Sequence, residues 1–314
     1  MTLVLVGPTA VGKSRLAVAV AQRLTAAGRP AEVVNADSML VYRGMDIGTA
    51  KPTAAERQGV QHHLIDVMDV RETATVSDFQ QRARAVIADC RARGVRPVVV
   101  GGSALYIRAI VDDFQFPGTD PVLRARLEAD LAALGPQQLH RRLAGLDPAA
   151  ARQIAPENGR RTVRALEVVT MTGEPFNASL PPRRYALPGV IQFGLDIDRP
   201  ALDARIADRV NQMWQAGLVA EVRQLAATGL ADGLTASRAL GYRQVLAYLA
   251  GEITEDQARE STITATRRFA RRQDSWFRKD LRIVWLPFDA PDLVDRVVAG
   301  AGSMVRAPKV EMPD

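Results

Sequence analysis

The sequence predicts an α/β fold: a parallel sheet with helices on both faces, interrupted by an inserted helical domain. Three observations carry that reading. Short apolar runs alternate with helix-period segments through residues 2–112, the order that builds a parallel sheet. Each run stops at a loop of glycine or small polar residues, where such sheets hold their ligands. From about Asp113 the chain turns helical and charged, and a strand-like run returns only at Gln192. The expected segments are therefore 1–112 for the first part of the core, 113–189 for the insertion, and 190–314 for the completion of the core with a helical, basic C-terminal part.

The elements follow in order. Thr2 to Val6 is an apolar strand that runs straight into GPTAVGKS, residues Gly7, Pro8, Thr9, Ala10, Val11, Gly12, Lys13 and Ser14. Leu16, Val20 and Leu24 then recur at helical spacing, and Gly28 ends the helix. Strand, G-x-x-x-x-G-K-S, helix is a P-loop in its required context, so the core is expected to be P-loop NTPase-like. Glu32 to Ala36 reads as a second strand that delivers Asp37 and Ser38 at its C-terminal end. Ser77 to Gln80 resembles a capping box, followed by the apolar face of Phe79, Ala83, Val86 or Ile87, and Cys90 and a stop at Gly94. Pro97 to Val100 is a buried strand ending in Gly101, Gly102 and Ser103. The insertion carries LRARLEADLAALG and HRRLAGLDPAAARQI and closes near Pro181 to Tyr185. Gln192 to Ile197 reads as a strand rejoining the sheet, the remainder reads as mainly helical, and the pattern fades from Ala307.

The chain has 314 residues, 47% hydrophobic and 24% charged, enough for a sizeable core. No apolar stretch approaches the length that spans a bilayer, so no membrane partner is expected. Cys90 is the only cysteine, which removes intrachain disulfides and cysteine-based metal sites and fits a reducing cytoplasm. His62, His63 and His140 show no metal spacing and are read as structural; Met39, Met45, Met68 and Met171 are read as core fillers. A net charge of +6, carried almost wholly by arginine, favours a polyanionic partner.

Chemistry concentrates at a few places. In the loop, Gly7 and Gly12 let backbone N–H groups face an anion, Lys13 adds a point charge, and Ser14 can hold Mg²⁺; nucleotide binding, ATP included, is within its range. Asp37 at a strand end beside it can serve as general base, magnesium ligand or cap of the next turn. Arg259 to Arg282 places Arg267, Arg268, Arg271 and Arg272 on successive turns with Phe269, Trp276 and Phe277 between them, a combination suited to RNA phosphates and bases. Arg160, Arg161 and Arg164 form a second basic cluster and Arg183 and Arg184 a third; separated basic surfaces suggest a channel between domains. A small-molecule kinase, a prenyltransferase of free adenine nucleotides and an NTP-dependent RNA-binding switch remain compatible with the loop alone.

Taken together, GPTAVGKS, NADSMLVYRGMDIGTAKP (35–52), HHLIDV, VVVGGSALYIRA, RRTVRALEVVTMTGEP (160–175), ALGYRQ and RRQDSWFR (271–278) resemble the bacterial tRNA dimethylallyltransferases, in the right order from Leu3 to about Trp285. The resemblance implies transfer of a dimethylallyl group from dimethylallyl diphosphate to N6 of the adenosine next to the anticodon of tRNA. It implies that Gly7 to Ser14 with Mg²⁺ hold the diphosphate, that Asp37 is the general base, and that Lys13 and Ser103 belong with it in the catalytic set. Ser103 stands where many members have threonine, which keeps the hydroxyl and loses a methyl. Implied tRNA contacts are Asp37, Ser38, Met39, Leu40, Ser103, Arg124, Arg160, Arg161, Thr162, Val163, Arg164, Arg238, Gly241, Tyr242, Arg243, Arg271, Arg272, Gln273, Trp276 and Arg278. The expected partners are the tRNA anticodon stem-loop and the prenyl donor, with the protein acting as a cytoplasmic monomer.

Overall fold

A computed structural model describes residues 1–177 and 181–303. The fading pattern expected from Ala307 lies outside the described residues. Six strands, β1 (Thr2–Val6), β2 (Ala31–Asn35), β3 (His62–His63), β4 (Arg96–Gly101), β5 (Val190–Asp196) and β6 (Ile283–Pro287), form one sheet in the order β3-β2-β4-β1-β5-β6. Every pairing is parallel, with Leu5 level with Val100 on one side and Phe193 on the other.

The apolar runs explain the layering. All five residues of β1 are buried, as a strand covered on both faces must be. Leu3 and Leu5 face a layer containing Leu16, Val20 and Leu24 of α1 (Lys13–Ala26). Val4 and Val6 face the opposite layer, which holds Phe79, Ala83 and Ile87, then Ile107 and Ile110. The second set comes from α3 (Val76–Ala92) and α4 (Ala104–Val111), which follow a single-turn α2 (Ala54–Arg57). The helix at Val76 starts earlier than the expected capping box: Thr75 is the N-cap, accepting from the Asp78 N–H, while Gln80 is buried and donates to the Ala109 carbonyl. Thr75 wins because its extended backbone puts the hydroxyl over the open turn.

Among the described residues, four helices occupy the middle of the chain: α5 (Pro121–Leu134), α6 (Pro136–Leu146), α7 (Pro148–Gln153) and α8 (Gly159–Thr172). The last part carries α9 (Arg199–Gln215), α10 (Leu218–Ala227), α11 (Tyr242–Leu249), α12 (Glu255–Phe277) and α13 (Leu293–Ser303). Two compact units result, Met1–Asp112 with Tyr185–Asp314, and Asp113–Arg184. Residues 185–189, which the sequence reading put in the insertion, pack with the sheet unit: Tyr185 bridges to Asp112, Ala186 donates to the Val111 carbonyl and Thr2 donates to the Gly189 carbonyl. The helical unit has its own core of Leu127, Leu139, Leu143 and Leu166. Met171 is exposed and not a core filler, whereas Met45 is fully buried. The strand β6 interrupts the stretch read as helical.

Where the chain leaves and re-enters the sheet unit, a buried ion network fixes it. Asp112, fully buried, accepts from Arg108 at 3.0 Å and from both Nη atoms of Arg282, at 2.7 and 3.1 Å. Arg282 also binds Asp280 and lies 4.2 Å from the centre of the Tyr185 ring.

Candidate active site

The P-loop has the backbone its glycines permit. Gly7 and Gly12 hold φ of 144° and 105°, a region closed to most side chains, and Gly12 caps α1. Lys13 donates from Nζ to the Pro8 carbonyl at 2.6 Å, folding back over the loop. Burial pushes its pKa down to about 7; Asp37 pulls it up and Arg209 pushes it further down. Ser14 is exposed in the first turn of the helix. The anion-cradle geometry of the sequence motif is therefore present, with a lysine whose ammonium form burial disfavours.

Beside the loop lies a cavity of about 340 Å³. Thr9, Asp37, Ser38 and Ser103 line one part of it, Arg209, Arg238 and Arg272 add cations, and Met39, Ile206, Val210, Met213 and Leu240 give an apolar wall. Asp37 both caps and presents a carboxylate. Its Oδ1 accepts the Met39 N–H at 2.9 Å and its own N–H donates to Asn35 Oδ1 at 2.8 Å, leaving Oδ2 for a ligand. Asn35, buried, completes the turn by donating to the carbonyls of Asp37 and Leu64. Ser103 occupies the N-cap position of α4, yet its hydroxyl makes no capping bond there.

The segment after Asp37 is shaped by charges buried beneath it. Lys51 is almost fully buried and binds the Tyr42 carbonyl, Asp46 and Asp66. Glu221 of α10 accepts from the backbone N–H groups of Asp46, Ile47 and Gly48 and from the Tyr242 hydroxyl. Gly48 is required because a Cβ there would strike the Tyr242 ring. DSMLVYRGMDIGTAKP is thus a sequence for holding Asp37, Ser38 and Met39 at the cavity.

Residues 40–280 match the family described as IPP transferase. The chain belongs to the IPP transferase family. It is 63% identical to the tRNA dimethylallyltransferase of Thermobifida fusca over 297 residues, covering 95% of this chain and 93% of that one. It is 60% identical to the tRNA dimethylallyltransferase of a Nocardioides species, over 94% and 93% of the two chains. Among solved structures, the full-length tRNA isopentenylpyrophosphate transferase of Bacillus halodurans aligns with a TM-score of 0.69 at 38% identity, over 97% of this chain and 95% of that one. A eukaryotic dimethylallyltransferase acting on tRNA aligns with a TM-score of 0.82 at 26% identity, over 99% and 81%.

In this IPP transferase the residues expected to meet tRNA divide. Asp37, Ser38, Met39, Ser103, Arg238 and Arg272 line the cavity, and Arg243, Arg271 and Trp276 are exposed. Leu40 is half-buried and does not line the cavity. Gly241 and Tyr242 are buried and serve the Glu221 anchor and the start of α11, so neither is a surface contact. Gln273 is also buried: its Oε1 accepts the Thr9 N–H of the P-loop at 2.9 Å, and a Cβ on Gly102 would collide with its Nε2. Arg278 pairs with Asp274 and Asp196 and stacks 3.8 Å over Trp285. Within the helical unit, Thr162 and Val163 are buried and cannot present side chains to a ligand, while Arg160 and Arg161 are exposed. Arg124 and Arg164 converge on the fully buried Glu167, whose carboxyl they hold below its usual range against the opposing effect of burial. Their first role is internal.

Sequence reading passed over Arg205 and Arg209. They stand one helical turn apart on α9 with Ile206, Val210 and Met213; Arg205 donates to the Ala10 carbonyl of the P-loop at 2.9 Å. The i, i+4 spacing of arginines beside apolar residues was the available signal. His62 and His140 bond backbone carbonyls, the structural role expected of them, and His63 pairs with Glu32. His63, Glu32 and Cys90 bring three ligand-type atoms within 4.8 Å of one another, though Arg93 occupies both Glu32 oxygens at 2.9 and 2.7 Å.

Proposed function

We propose that the chain transfers the dimethylallyl group of dimethylallyl diphosphate to N6 of the adenosine 3′ of the tRNA anticodon, position 37, releasing diphosphate. The observation that carries this reading is a single cavity bounded by the P-loop, the Asp37 carboxylate and an apolar wall. The family and the named relatives support the substrate classes.

An exocyclic adenine amine is a poor nucleophile, because its lone pair is delocalised into the ring. Asp37 Oδ2 accepts its proton as the N6–C1 bond forms and the C1–O bond of the donor breaks, the electron pair leaving with the diphosphate. Backbone N–H groups of Ala10 to Gly12, with Lys13 and Arg209, take the growing charge. Ile206, Val210 and Met213 seat the prenyl chain and keep water from it. Ser103 positions the adenine from its uncapped hydroxyl. The residues fit a magnesium ion: Ser14 offers a hard hydroxyl oxygen in the first turn beside the loop, and together with the diphosphate it would hold Mg²⁺, which supplies charge neutralisation when bound. Arg238, Arg243, Arg271, Arg272 and Trp276, with Arg160 and Arg161 of the helical unit, hold the RNA. The base must leave its stack, at a cost of a few kcal/mol that such phosphate contacts offset.

We place the protein in the cytoplasm as a monomer; among the described residues no helix is long and apolar enough to cross a membrane. The test is mass spectrometry of tRNA nucleosides after incubation with dimethylallyl diphosphate and Mg²⁺ alone. Isopentenyladenosine formed without any nucleoside triphosphate supports the reading. Unmodified tRNA in that incubation, or consumption of ATP when ATP is supplied in place of the prenyl donor, overturns it.

A further inference from the structure

The sheet has a second ligand-sized hollow at the opposite end from the P-loop. About 510 Å³ in volume, it lies where β1, β4 and β5 begin, between Arg91, Arg96, Val95, Pro188 and Ile191. Among the described residues no carboxylate side chain lines it. Arg91, from the end of α3, donates through Nη2 to the Thr2 hydroxyl at 2.8 Å and the Pro188 carbonyl at 2.7 Å, but its Nε is buried with no partner. Arg96 opens β4 and fixes its backbone by donating to the Pro30 carbonyl; its Nη1 is likewise buried and unpartnered.

Both side chains are half-buried cations, unlike Arg108, Arg124 and Arg282, which meet the buried carboxylates of Asp112 and Glu167. Among the described residues neither Arg91 nor Arg96 has an acidic partner. Burial lowers the pKa of both, and the neighbouring Arg29 adds to the effect on Arg96. A guanidinium cannot shed its proton at working pH, so an anion entering the hollow meets two cations that no acidic side chain has neutralised.

We propose that this hollow is a second anion site, taking a diphosphate group on Arg91 and Arg96. Two guanidinium side chains lining one space offer more charge and more donors than a monovalent ion uses and suit the several oxygens of a diphosphate. The walls of Val95, Pro188 and Ile191 exclude water from one side and strengthen the attraction. The volume exceeds that of the anion, so the diphosphate arrives either free or on an organic tail that lies along those apolar walls.

The test is calorimetric titration of the full chain with inorganic diphosphate, and separately with ADP, at about 0.15 M salt, in Lys13→Ala to silence the P-loop. One diphosphate per chain is expected to remain bound. Arg96→Gln, added to that background, should weaken it at least tenfold; an unchanged melting temperature without ligand shows that the fold is intact. Arg91→Lys, which keeps a donor for Thr2, should weaken it as well. Equal affinity for diphosphate and ADP identifies the free anion as the ligand, and tighter ADP the tailed one; both support the site. No binding in Lys13→Ala, or binding indifferent to both arginine changes, overturns it.

Discussion

Asp37 accepts the Met39 N–H through Oδ1 and lines the cavity, so removing the side chain should affect turn and chemistry unequally. Asp37→Ala is expected to lose about 10²–10⁴ in kcat while tRNA affinity, measured by filter binding, stays within a few-fold. Near-normal turnover would remove Asp37 as the base. Lys13 carries a second consequence. In the free protein burial holds its pKa at about 7, below the ordinary 10.5. A bound diphosphate favours the ammonium and raises it again, so binding takes up a proton at any pH between those values, and affinity falls as pH rises above about 7. Titrations at about pH 8.5 in buffers of different ionisation enthalpy should show this uptake, and Lys13→Ala should abolish it. By the same linkage the ligand-free protein gains stability from this group as pH rises from about 7 to 10.5, because the unfolded chain still holds the proton there.

At the scale of an element, α12 joins two functions on one rod. Its buried face carries Ala258, Thr262, Ile263, Ala270, Gln273 and Phe277, while Arg268, Arg271 and Arg272 are exposed. Arg271→Ala with Arg272→Ala should weaken tRNA binding and reduce the slope of log K against log salt by about 2, one for each phosphate no longer neutralised. Gln273→Ala should raise the KM for the prenyl donor and leave tRNA affinity unchanged, because its bond is to Thr9 of the P-loop; an RNA contact would give the opposite split. The two outcomes separate residues that stand side by side in RRQDSWF. That motif was legible as a unit, and its arginines do form a solvent-facing row. Gln273 was not legible, since its partner lies 264 residues away and no local period records such a bond. The P-loop, β1, β2, β4, β5 and Asp37 were legible because strand, loop and helix there are contiguous. Strand β6 was not: IVWLP is short, sits on the sheet edge and alternates burial too weakly to stand apart from its helical neighbours.

For the whole molecule, the network around Asp112 ties β6 to the end of α4. Asp112→Ala would remove the buried carboxylate that Arg108 and Arg282 share, leaving Asp280 to Arg282, so this change should destabilise the protein by about 3–5 kcal/mol, read as a lowered denaturation midpoint with an unchanged slope. A loss below about 1 kcal/mol would mean that water reaches the network.

The bridge between Asp112 and Tyr185 has a further meaning for the history of the chain. The helical excursion begins and ends at two residues already in contact, and it carries its own core. To the sheet unit it is therefore equivalent to a hairpin turn. An ancestor could acquire, lengthen or exchange this module without shifting the register of β5 by a single residue, and a lineage can alter the exposed surface of this unit while leaving the sheet unit untouched.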